Sequence, residues 1–73
     1  MIDWQQVTLN LRHHYKPLDA ICRDYGWDRN VLGNLARANI IQPKFNIGYE
    51  LLKLHKAHCP KQHELLNIAG NLI

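Results

Sequence analysis

The chain has no serine, only two cysteines and no long apolar run among its 73 residues. Each absence narrows what it can do. Without serine, a Ser–His–acid nucleophile is excluded. A cysteine nucleophile would need a neighbouring base and an oxyanion site. Cys22 falls on the apolar face of a predicted helix, and Cys59 has histidines nearby but no evident pocket in so short a chain. No glycine-rich phosphate loop is present. The chain is therefore expected not to be an enzyme, and no cofactor is expected. Cys22 and Cys59 are far apart and form no framework of spacings, so free thiols in a reduced, cytoplasmic setting are expected. A membrane-spanning helix needs about 18 or more consecutive apolar residues, and none is found. Met1-Ile2-Asp3-Trp4 lacks a basic segment followed by an apolar stretch, so a secretory signal is not expected there. Repeats, linkers and low-complexity tracts are also missing.

What is present fits one folded domain over residues 1–73. The apolar share of 47% is ordinary for a globular chain and argues against wholesale disorder. So small a core leaves a net stability of only a few kcal/mol, and such chains are commonly supported by oligomerisation. The formal net charge is +3. That mild basic bias is compatible with nucleic acid without demanding it. Its distribution says more: Arg29 and Arg37 fall in one predicted helix, and Lys53, Lys56 and Lys61 come later.

Apolar spacing predicts an all-α chain of five short helices, with almost no strand signal. Asp3 is a good N-cap for the first, whose inner stripe is Trp4, Val7, Leu11 and Tyr15. Lys16-Pro17 ends it, and Pro17 suits the first turn of helix two. Leu18, Ile21, Cys22 and Tyr25 form the inner face of that helix, and Gly26 offers a turn at positive φ. Asp28 is expected to cap helix three, with Val31, Leu32, Leu35 and Ala36 facing inward. Residues 39–46 read as a loop. Asn46 is expected to cap helix four, with Ile47, Leu51, Leu54 and His55 inside. Cys59-Pro60 breaks the pattern, and helix five is expected over about 61–69, ending at Gly70.

Residues 17–38 carry the most information. A short helix, a glycine-centred turn and a second short helix follow without spare residues, as in a helix-turn-helix. The turn needs a glycine, here Gly26. The position four residues before it must be small, because the helices nearly touch there, and it holds Cys22. Ile21 and Trp27 flank the turn, while Leu32 and Leu35 lock the second helix onto the core. The stretch Leu18–Leu35, LDAICRDYGWDRNVLGNL, resembles the Cro/repressor-like (lambda repressor-type) helix-turn-helix family of bacterial and phage regulators. The following IIQPKFNIGYELLKLH is similar to the loop and fourth helix of that family. The chain departs from the family pattern in four places. Cys22 stands where alanine is common, and Leu18 where a backbone-contacting glutamine is common. Asp28 replaces a small hydroxyl residue, and Gly33 sits inside the recognition helix.

The resemblance implies a lambda repressor-like fold and a sequence-specific transcriptional regulator, a repressor of phage or mobile-element type, bound in the major groove of double-stranded DNA. In that geometry the start of the second helix enters the groove. Its outward positions are Asp28, Arg29, Asn30, Gly33, Asn34 and Arg37. Arginine can present two donors to guanine, and asparagine can pair with adenine. Arg29, Asn30 and Asn34 are thus the base-reading candidates. Arg37 would take a base or a phosphate, and Asp28 is more naturally a cap than a reader of cytosine. Lys44, and the amides near Asn46 and Ile47, would meet phosphate. Lys16 and the amides opening helix two would do so on the other side.

A single module of this size seldom picks out one operator. Residues 61–73, with Leu65, Leu66, Ile68, Ala69, Leu72 and Ile73, are expected to form a homodimer contact suited to a palindromic site. His55, His58, Cys59 and His63 lie close in sequence but match no familiar zinc spacing. No metal site is assigned to them. A different reading keeps the fold and removes the DNA: a protein-interaction module, such as a phage-encoded inhibitor or assembly factor. An exposed apolar or acidic patch would mark that reading, where DNA binding asks for positive charge around Arg29, Arg37 and Lys44.

Overall fold

The computed structural model describes residues 2–66. Among these the chain is all-helical, with α1 Trp4–His14, α2 Leu18–Tyr25, α3 Val31–Ala36, α4 Phe45–His58 and α5 Pro60–Leu65, and no strand. None of these helices is long and apolar enough to cross a membrane.

The helix boundaries follow from local chemistry. The Asp3 side chain accepts from the Gln6 amide at 3.1 Å and so caps α1. Pro17, extended at ψ 146°, is the residue before α2 rather than its first turn. Gly26 sits at φ +71° and closes α2. Its amide donates to the Arg23 carbonyl and the Trp27 amide to the Cys22 carbonyl, the paired bonds of a Schellman stop. The same turn recurs at the end of α3. There the Ala38 amide donates to Leu35 and the Asn39 amide to Asn34, with Ala38 at φ +60°.

Val7, Leu11, Ile21, Cys22, Leu32, Leu35 and Leu51 form a core that is essentially closed to solvent. Helix α1 lies across α3 and α4, α2 packs on α3, and α5 packs on the end of α4. The core also takes in Thr8, Asn10 and His55. A polar group is tolerated there only with a partner. Thr8 Oγ1 donates back to the Gln5 carbonyl at 2.8 Å. Asn10 meets His55 across the α1–α4 interface at 3.1 Å. Gly48 is buried because the Trp4 ring rests on it: a Cβ there would come within 3.0 Å of Trp4 Cη2.

Four expectations besides that for Pro17 need correction. Tyr25 is exposed and stacks on Trp27, ring centroids 4.6 Å apart, because the Gly26 turn carries the chain away from the core just after it. Helix three starts at Val31 and not behind an Asp28 cap. Helix four starts at Phe45, one residue before the expected cap Asn46, because Lys44 after Pro43 is still extended at ψ 154°. Helix five starts at Pro60, whose fixed φ suits a first turn, and its described part ends at Leu65. The expected inner residues Ile68 and Ala69, and the stop at Gly70, lie outside the described residues.

Candidate nucleic-acid interface

The interface candidates occupy one continuous stretch of chain, from the turn after α2 to the first turn of α4. Cys22 lets α2 and α3 approach. It is fully buried, and that burial pushes its thiol pKa up. Trp27, half-buried, packs on the core and fixes the exit from the turn.

Asp28, Arg29 and Asn30 are exposed. They form a turn ahead of α3 and not its first helical turn. Asp28 Oδ1 accepts from the Asn30 amide at 2.8 Å, and the Asp28 carbonyl accepts from the Val31 amide at 3.1 Å. The carboxylate is therefore used as a local brace, akin to the cap role expected of it, but two residues ahead of the cap position Asn30. Its short reach holds Asn30 in position and leaves both Arg29 and the Asn30 side chain facing solvent.

Gly33, Asn34 and Arg37 make a second group. Arg37 Nη2 donates to Asn34 Oδ1 at 3.1 Å. The same guanidinium lies over Gly33, so that a Cβ there would meet Nη1 at 3.3 Å. In this state the acceptor that Asn34 would offer to adenine is occupied by Arg37. Its amide nitrogen has no such partner.

Lys44 is exposed and immediately precedes α4, where no side chain caps the first-turn amides. Open amides at a helix start favour an anion. A groove of about 460 Å³ runs between the turn and the loop before α4. Its walls include Trp27, Asp28, Val31, Leu35, Lys44 and Ile47. Asp28 and Lys44 are thus brought to one groove. Among the described residues the ion pairs are Lys16–Asp24, Arg23–Asp19 and Lys53–Glu50. Arg29, Arg37 and Lys44 enter none of them. Lys16 does, at 2.7 Å, and Asp24 raises its pKa. The phosphate role expected of Lys16 therefore competes with a formed ion pair.

The sequence reading missed an apolar surface beside these cations. Phe45 is 89% exposed, Ile41 76% and Tyr49 56%. Phe45 and Tyr49 stack along the start of α4, next to a groove lined by Ile2, Trp4, Pro43, Gly48 and Leu52. The signal was there in Phe45, which falls outside the 3.6-residue stripe of α4. At the other end of the molecule Leu65 is exposed and Leu66 packs partly on the core. The other four residues of the expected dimer contact lie outside the described residues.

The histidines separate. His58 stacks on Tyr15, centroids 3.7 Å apart, whereas His55 is buried and meets His63. Among the described residues no group of three or more histidine, cysteine or acidic side chains is arranged to hold a metal ion.

No family model matches the chain, and no curated protein or solved structure matches it.

Proposed function

We propose that the protein is a sequence-specific DNA-binding regulator whose helix-turn-helix, residues 17–38, reads the major groove. The observation that carries this reading is the grouping of Arg29, Arg37 and Lys44 along one stretch of chain after the turn at Gly26, exposed and outside the ion pairs formed among the described residues. Cationic side chains without carboxylate partners are what phosphate requires, and they give up no ion pair on binding. In this reading Arg29, Asn30 and Asn34 read base edges. Arg37 releases Asn34 as the groove is entered. Lys44 and the open amides of α4 hold the backbone, and Asp28 keeps the reading turn in shape. The protein acts as a homodimer on a palindromic operator, and occupancy represses.

A second reading has its own support. The Ile41–Phe45–Tyr49 surface is an apolar patch of the kind that marks a protein contact. On this reading the module binds a protein partner and leaves DNA alone.

Chemical-shift mapping with a short mixed-sequence duplex separates the two. DNA binding predicts amide changes over residues 28–37 and 44–47. No change there at up to millimolar duplex in low salt contradicts it and favours the protein-binding reading.

A further inference from the structure

His55 is closed to solvent, yet both of its ring nitrogens are engaged. Nε2 faces Asn10 Nδ2 at 3.1 Å, and Nδ1 faces His63 Nδ1 at 2.8 Å. Asn10 Oδ1 in turn accepts from Gln6 Nε2 at 3.0 Å. The donors then run in one direction. Gln6 donates to Asn10, Asn10 to His55, and His55, protonated at Nδ1, to His63. With Asn10 donating to its Nε2, His55 is the neutral tautomer protonated at Nδ1, and His63, accepting at Nδ1, is neutral in turn.

The pair has little capacity for additional protons. One can be absorbed by reversing the chain of donors through the Asn10 and Gln6 amides. A second leaves two N–H groups facing each other with no acceptor between them. The other titratable or charged groups acting on the pair are His14 of α1 and Lys56 of α4, and both repel added positive charge. The Cys59 thiol beside them is itself buried and donates weakly to the Asn10 carbonyl at 3.5 Å.

The pair also sits at a weak joint. No residue of α5 is buried, and His63 is its one side chain hydrogen-bonded to the body among the described residues. We propose that the His55–His63 contact is an acid-sensitive latch, holding α5 on α4 when neutral and releasing it as the pair takes up protons. Burial lowers the pKa of both rings, that of His55 to about 4, so the latch is closed at neutral pH and opens on acidification.

Amide hydrogen exchange, corrected for intrinsic rates, tests this between pH 7.5 and 4.5. The Leu66 amide, bonded to the Gln62 carbonyl, reports on α5. Val7 and Leu11 report on the core. Protection at Leu66 is expected to fall by up to about tenfold per pH unit for each proton taken up, and by more than at Val7 and Leu11, which follow only the general loss of stability in acid. His63→Gln keeps an acceptor for His55 and cannot be charged, so its Leu66 protection should lose most of this pH dependence. The proposal is overturned if Leu66 and α1 lose protection by the same factor, if Leu66 does not respond, or if H63Q keeps the wild-type profile. Should H63Q not fold, the wild-type comparison of Leu66 with α1 decides alone.

Discussion

The guanidinium of Arg37 lies over the bare backbone of Gly33, 3.3 Å from where a Cβ would stand, and bonds the Asn34 side chain from there. This gives the glycine in the middle of α3 a stereochemical reading. It makes room for a folded-back arginine. The obstacle to a larger residue is the far end of a flexible side chain and not the backbone.

Gly33→Ala is therefore expected to fold and to gain up to about 1 kcal/mol from helix propensity. It should also push Arg37 off Asn34. Thermal melts check the first effect, and the Asn34 side-chain amide resonances check the second. A loss of more than about 1 kcal/mol would mean that Arg37 cannot move aside.

Gly26 and Ala38 end α2 and α3 with the same turn at φ +71° and +60°, but only one of them is glycine. A side chain in this left-handed region costs roughly 1–2 kcal/mol. Gly26→Ala should destabilise by about that amount although no atom lies within 4 Å of the new Cβ. Ala38→Gly should stabilise by a smaller amount, because glycine also loosens the unfolded chain. Opposite signs in urea denaturation are the expected result.

Arg29 and Lys44 should fail differently on DNA. Arg29→Ala is expected to cost about 1–3 kcal/mol on a preferred site and to relax choice at one base position. Lys44→Ala should weaken all sequences alike and lower the salt slope by about one. Small and equal effects in competition binding would contradict these roles.

Stability should fall in mild acid. The unfolded chain protonates His55 near the ordinary 6.5, and the folded chain only near 4. Between these values the unfolded state binds more protons, so stability drops as pH falls through the window and is flat above it. The loss is on the order of a few kcal/mol once fully developed. Melting temperatures at pH 7.5, 6 and 5 measure it. A variant lacking the buried ring, His55→Leu, should lose this pH dependence even if it is less stable overall.

Much of this architecture was legible in the sequence. Asp3, Pro17, Gly26 and the apolar stripes of α1, α2 and α4 place their elements through local rules that a reader of residues can apply. The details depending on distant contacts were not legible. His55 reads as an inner position, but its partner Asn10 lies 45 residues away on α1. Gly48 reads as an ordinary helical glycine until Trp4 is found resting on it. Among the site candidates, Asp28, Arg29 and Asn30 were expected on the helix and stand in the turn before it. The Asp28 side chain braces that turn by accepting the Asn30 amide, and the helix itself begins at Val31. The fold-back of Arg37 depends on a rotamer, and no spacing rule encodes it.

The most direct test of the central claim is selection of binding sites from random duplex DNA by the purified protein, followed by titration of the selected site at 50 and 200 mM salt. The account predicts enrichment of a palindromic site and a steep loss of affinity at the higher salt. Failure to enrich any site, with binding weak at both salts, would contradict it and turn attention to the Ile41–Phe45–Tyr49 surface.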